Sequence, residues 1–246
     1  MRVLVTGAGG FLGRGLIVPF EGQADLRLMD VVDWQTPHEK IVASVADLDA
    51  VLKAVEGVDA LVIAHMAPQG RASYGTPTLA YDVNVKGTAN LFYAAAQFGV
   101  KKVVLISSGG AVWNVYFTAG YLSRDLPRRG KGIYSHTKVL QEVIAELHHQ
   151  EFGMGVAVLR SGYITDMDLG RDKYGKHLDT ANWQFVDRRD IGGMALAALQ
   201  LPDLGYEIFY ALSTPMAVKH ADMESAYQRL GWKPKYDFSN LKQDTR

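Results

Sequence analysis

Tyr134 and Lys138 stand four residues apart in the run Tyr134-Ser-His-Thr-Lys138. On a helix that spacing puts both side chains on one face, one turn from each other. A phenol so placed can take or give the proton of a substrate hydroxyl. An ammonium one turn along favours phenolate and is expected to draw the tyrosine pKa down from about 10 towards neutrality. The pair becomes chemistry only in company with a cofactor site and a hydroxyl donor, so the elements that would carry those come next.

Arg2 to Gly7 reads as a short buried strand ended by glycine. It runs into Gly7-Ala-Gly9-Gly10-Phe11-Leu12-Gly13 and an apolar helix start. Gly7 suits the tight turn, Gly10 the close approach of backbone to a pyrophosphate, and Gly13 the packing of helix on strand. The first amides of that helix, from Phe11 and Leu12 onward, would face the phosphates. A second apolar run, Asp25 to Asp30, ends in an acid about 20 residues past the turn, where a carboxylate accepts bonds from an adenosine ribose. Its charge repels a 2′-phosphate, which favours NAD over NADP.

The alternation continues. Ser44 to Leu48, including Asp47, leads into a helical pattern over 49–56, and Val58 to Ala64 reads as a strand ending at His65. A Gly/Ser/Pro loop follows Pro68. A long helix is expected over 81–98, closed by Gly99 and carrying a buried-looking Asn84 near its start. Val103 to Ser108 is the next strand, ending in the hydroxyls of Ser107 and Ser108. Strands alternating with helices predict an α/β fold, a Rossmann-type doubly wound parallel sheet with right-handed crossovers. Ligands then lie beyond the carboxyl ends of the strands, where the glycine turn, Asp30, Ala64, His65, Ser107 and Ser108 all fall.

Composition narrows the class. The chain has 246 residues, 26 basic and 26 acidic side chains, and no cysteine. The length suits one domain with a small appendage. Balanced charge without a basic tract argues against nucleic acid as main partner. The lack of cysteine excludes disulfides, thiolate metal sites and cysteine nucleophiles. No His and carboxylate spacing argues for a metal. No apolar run reaches the roughly 18 residues that span a bilayer, and no leader pattern is evident. A cytoplasmic enzyme is expected.

The chain resembles the extended short-chain dehydrogenase/reductase family, with its NAD-dependent sugar epimerases and dehydratases. The matching pieces are Thr6 to Gly13, Asp30, Asp47-Leu48, Asn84 to Thr88, Val104 to Ser108, Tyr134 to Lys138, Leu159 to Gly162, Phe185 to Ile191, and Leu230 to Pro234. The resemblance implies NAD as cofactor, held by Gly7, Gly10, Phe11, Leu12, Gly13, Asp30, Asp47, Leu48, Ala64, His65, Asn84 and Ser107 together with Tyr134 and Lys138. Asn84 also reads as a structural amide linking a helix to a neighbouring strand. Tyr134 would be the acid/base, Lys138 would hold the nicotinamide ribose, and a strand-end hydroxyl would bind the substrate oxygen. Counting back from Trp113 to the usual place of that hydroxyl lands on Gly109, so Ser108 is the candidate. A homodimer through the helices starting near Lys86 and Tyr134 is also implied.

The last third is expected to carry the substrate: residues 1–160 bind NAD, and 161–246 form a small, interleaved substrate-binding portion. Thr165 to Asn182 has no clear period and reads as a long functional loop. A cover is expected there and near Trp113 to Tyr121. A helix is expected from Trp183 through Leu199, a strand over 206–212 and a short helix over 222–230. So small a cap suits a ligand smaller than a nucleotide sugar, and this resembles the uronate dehydrogenases, whose substrate carries a carboxylate. Ser108, Gly109 and Tyr134 would face that substrate, and Arg171, Arg188, Arg189 and His177 are the basic candidates for its acid group. Three functions stay open: an oxidoreductase on a sugar or sugar acid, an epimerase, and a non-catalytic NAD-binding protein. Dehydration is disfavoured because Gly109-Gly110 stand where its acid pair would be.

Overall fold

Three consecutive apolar side chains, Val3, Leu4 and Val5, are wholly buried in β1 (Arg2–Thr6). That requires cover on both sheet faces, since successive strand residues point opposite ways. In the computed structural model, which describes residues 1–69, 74 and 76–244, the cover is present on both sides. Val3 and Val5 face one apolar core and Leu4 the other. The loop expected after Pro68 lies mostly outside the described residues.

The chain continues through α1 (Phe11–Leu16), β2 (Asp25–Asp30), β3 (Glu39–Val42), α2 (Leu48–Val55) and β4 (Ala60–Ile63). Then come α3 (Pro77–Ala80), a π-helical turn over Tyr81–Lys86 and α4 (Gly87–Gln97). β5 (Lys102–Ser108), α5 (Trp113–Ala119), α6 (Gly132–Phe152) and β6 (Gly155–Ser161) complete the first part. All seven strands of the main sheet are parallel. Its order, from one edge, is a late strand β11 (Tyr206–Ala211), then β6, β5, β4, β1, β2 and β3. The order reverses between β1 and β4, which opens the crevice where such sheets bind ligands.

Three differences from expectation have simple causes. β3 was not foreseen, because Glu39-Lys40-Ile41-Val42 is a half-exposed edge strand without an apolar run. The region 165–182 is no structureless loop: β7 (Tyr163–Asp166), β8 (Arg171–Asp172) and β9 (Thr180–Ala181) run through it, followed by β10 (Phe185–Asp187). β10 pairs with β7, so the helix expected from Trp183 starts later, as α7 (Arg188–Gln200), with the Asp187 carboxylate capping the Arg189 amide. α8 (Glu224–Leu230) and β12 (Lys242–Gln243), which pairs with β9, close the chain. The late portion also returns β11 to the main sheet. Among the described residues no helix is long and apolar enough to cross a membrane.

Candidate functional site

The glycine turn after β1 is set by contacts that no side chain could survive. Gly7 has φ +71°, and a Cβ there would lie 2.7 Å from the His65 Cα. A Cβ on Gly13 would come within 2.2 Å of the Gly7 carbonyl oxygen. The turn is therefore pressed against the end of β4 on one side and its own helix on the other, leaving its backbone bare towards the crevice. The Asp30 carboxylate, at the end of β2, accepts from the Gly9 amide (2.9 Å) and the Val32 amide (3.1 Å), which fixes its direction. Beyond lies a cavity of about 590 Å³ that runs from Asp30 and Ser44, past Gly7, Gly10 and His65, to Tyr134 and Lys138.

A second cavity of about 400 Å³ adjoins it, lined among others by Ser108, Gly109, Trp113 and Gln184. Tyr134, Ser161, Ile164, Lys173, Tyr174 and Gln69 border both. Tyr134 thus stands at the junction of the two cavities.

Ser107 and Ser108 face opposite ways, as strand alternation demands. Ser107 Oγ donates to Glu142 Oε1 (2.6 Å), on α6. Ser108 Oγ accepts from the Gly110 amide (3.1 Å) and lies near enough to the Tyr134 hydroxyl to favour its ionised form. Gly109 has no room for a hydroxyl-bearing side chain: a Cβ there would meet the Trp113 ring at 2.7 Å. The Trp113 ring fills the space that a side chain at Gly109 would take, and the Ser108 hydroxyl lies near Tyr134.

The electrostatics differ from the expectation of a lowered phenol. Burial pushes the Tyr134 phenol up to about 12; the nearby Ser108 hydroxyl opposes this, while Tyr74 and Tyr174 add to it. Lys138 does not count among the causes; its Nζ donates to the Ile106 carbonyl (2.8 Å). Burial, with help from the Lys173 charge, pushes Lys138 itself down to about 8, against the pull of Glu142. His65 is held down at about 3 by burial and by Lys138, so it is neutral, with Nδ1 3.0 Å from the Thr6 hydroxyl. Desolvation outweighs the tyrosine–lysine spacing here.

Residues 3–164 match the model of the NAD dependent epimerase/dehydratase family. The chain belongs to that family. Its cofactor is NAD, and the cradle at Gly7 and Gly10 with the Asp30 carboxylate fits that group. A uronate dehydrogenase from Agrobacterium fabrum is 30% identical over 239 residues, covering 95% of this chain and 84% of the relative. An NAD-dependent glucose-6-phosphate dehydrogenase from Haloferax volcanii is 27% identical over 253 residues, covering 94% and 92%. The crystal structure of uronate dehydrogenase from Agrobacterium tumefaciens superposes with a TM-score of 0.74 at 26% identity, over 95% of this chain and 84% of that one.

Of the residues expected at the cofactor, Gly7, Gly10, Phe11, Leu12, Asp30, Ala64, His65, Ser107, Tyr134 and Lys138 line the larger cavity, and Gly13 packs beneath it. The other three are also outside its lining. Asp47 caps α2 through the amides of Asp49 and Ala50, and Leu48 lies exposed beside it. Asn84 is buried in a structural knot: it accepts from the Ala67 amide (2.7 Å) and donates to the hydroxyls of Tyr74 (3.2 Å) and Thr137 (3.0 Å).

The structure gives the expected basic residues the following places. Arg188 pairs with Asp166, donates to the Phe11 carbonyl (2.7 Å) and stacks 4.7 Å from the Phe11 ring. Arg189 is bound to Asp187 and Asp168. Arg171 and His177 form an exposed bridge outside both cavities. The sequence reading missed Lys173 and Tyr174, which sit in the segment assigned to the cover but carry no periodic signal. It also missed Glu142, one further turn along the face of Tyr134 and Lys138, a spacing that was readable.

If Asp30 selects against a 2′-phosphate, Asp30→Ala lowers the preference for NAD over NADP by at least about tenfold. Binding constants for the two dinucleotides measure this; an unchanged ratio removes Asp30 from that role.

Proposed function

We propose that the chain is an NAD-dependent dehydrogenase that oxidises a hydroxyl of a monosaccharide or sugar acid. The observation that carries this reading is the junction of the two cavities at Tyr134 and Ser108. The names of the relatives support it, being dehydrogenases of a uronate and of a sugar phosphate. Ser108 holds the substrate oxygen, and Tyr134 as phenolate takes its proton. Lys138 anchors the ribose side and supplies positive charge to the same cavity. NAD, which the glycine turn at Gly7 and Gly10 and the Asp30 carboxylate would hold, would supply the acceptor for the hydride of the carbinol carbon. Acid–base help of this kind contributes about 10²–10⁴-fold, and the rest comes from holding the carbinol against the cofactor.

The test is incubation with NAD and a panel of hexuronates, aldoses and nucleotide sugars. NADH that accumulates with a sugar or sugar acid supports the reading. Sugar product without net NADH would make the protein an epimerase, and NAD binding with neither would leave a dinucleotide holder.

The reading includes a homodimer. Tyr93 and Phe98 at α4, and Leu147 and Phe152 on α6, are large apolar side chains left about half exposed on two helices that pack together. Light scattering is expected to give twice the chain mass of 27.0 kDa. A single chain mass at micromolar concentration would exclude the dimer.

A further inference from the structure

Lys173 stands out among the cations near the site. It borders both cavities, yet among the described residues no carboxylate lies within ion-pair distance of its Nζ. Its near neighbour is the Tyr174 ring, 5.1 Å away. The competing guanidinium groups are spent on acids of the fold: Arg188 on Asp166, and Arg160 on Glu142. Among the described residues the smaller cavity has no acidic residue in its lining, and its other lysine, Lys131, is exposed.

The turn that carries Lys173 is built to hold it there. Asp172 is buried and accepts from the amides of Tyr174 and Lys176 (both 2.8 Å) and from the Tyr163 hydroxyl. Tyr174 reaches across to Gln69, which ties the turn to the loop after β4. The inward aim of the Lys173 charge is also felt at Lys138, whose ammonium it disfavours. An ammonium at the rim of a cavity whose described lining carries no carboxylate attracts an anion.

We infer that Lys173 is the specificity-determining residue of the smaller cavity, binding the anionic substituent of a hexose-sized substrate and so selecting acidic sugars over neutral ones. This rests on the dehydrogenase reading above. A cavity of about 400 Å³ has room for a hexose. The anion is a carboxylate or a phosphate monoester, which a lysine receives as a point charge.

The experiment measures NADH formation by wild type, Lys173→Met and Lys173→Arg with D-glucuronate, D-galacturonate, glucose 6-phosphate and glucose, each with NAD. Quenching of tryptophan fluorescence, with Trp113 in the cavity wall, follows binding of the same sugars independently of turnover. Wild type should prefer one anionic sugar over glucose. Lys173→Met should cut that preference at least about tenfold through KM, and Lys173→Arg should keep most of it. The better of glucuronate and glucose 6-phosphate identifies the anion.

A preference unchanged within about twofold in Lys173→Met would overturn the inference. So would a Lys173→Arg variant as poor as Lys173→Met, which marks a merely structural side chain, or a wild type that binds neither anion saturably. Saturable anion binding lost in Lys173→Met, with no NADH from any protein, would keep the anchor and reject the dehydrogenase. NADH formation with an unchanged preference would do the reverse.

Discussion

Tyr134→Phe is expected to lower kcat for sugar oxidation by at least about 10³-fold while NAD affinity stays within a few-fold. The hydroxyl is the only atom removed, and the ring still fills the wall between the cavities. Burial holds the wild-type phenol at about 12, so only a small fraction is phenolate at neutral pH. That fraction grows about tenfold per pH unit below the pKa, so kcat/KM for oxidation should climb from about pH 6 to about pH 8. Lys138, held near 8, loses its charge above that range, and the slope should then flatten as the positive charge proposed to anchor the ribose side is lost. The residual rate of Tyr134→Phe should lack the climb. A large loss of NAD binding in the variant, or a surviving slope, would make Tyr134 a packing residue.

The second large effect concerns stability. Glu142 and Arg160 are both buried and joined by two hydrogen bonds (2.9 and 3.1 Å), with Arg128 and Ser107 completing the carboxylate's partners. Removing one member strands a buried guanidinium, which costs roughly 3–5 kcal/mol. Glu142→Leu should therefore lower Tm by on the order of 10 °C for a domain of this size. Replacing both members, Glu142→Leu with Arg160→Met, should recover most of the loss, because the stranded charge goes with its partner. Thermal unfolding of the three variants checks this. A drop below about 1 kcal/mol in the single variant, or no recovery in the double, would show that the network is not the clamp described. The network lies directly under Ser107 and one turn from Lys138, so it also steadies the floor of the cofactor cavity.

Much of the frame was legible because it follows from short-range rules. The glycine turn, the strand ends and the position of Tyr134 came from spacing alone, and the seven-stranded parallel sheet places them at its carboxyl edge. The shift of the hydroxyl to Ser108 was readable as a departure at Gly109, though its cause, the Trp113 ring, is a tertiary contact. What escaped were matters of long-range pairing. Arg188 was a plausible anion binder until Asp166, 22 residues away, was seen to hold it. Lys173 was invisible for the opposite reason, since nothing in a loop marks which cation stays unpaired. Asp47 and Asn84 showed the right residue types, but local capping and a buried amide knot claim them. The sign of the Tyr134 shift was missed because spacing places Lys138 on the same face without saying where its ammonium points. It points to the end of β5.

The most direct test of the account follows a label. Wild-type protein is given NAD and a hexuronate deuterated at C1, and the products are read by mass spectrometry and NMR. The account predicts deuterium on one face of C4 of accumulated NADH, with a slowed rate relative to unlabelled sugar. Deuterium that stays on the sugar, or returns to it without net NADH, would contradict it.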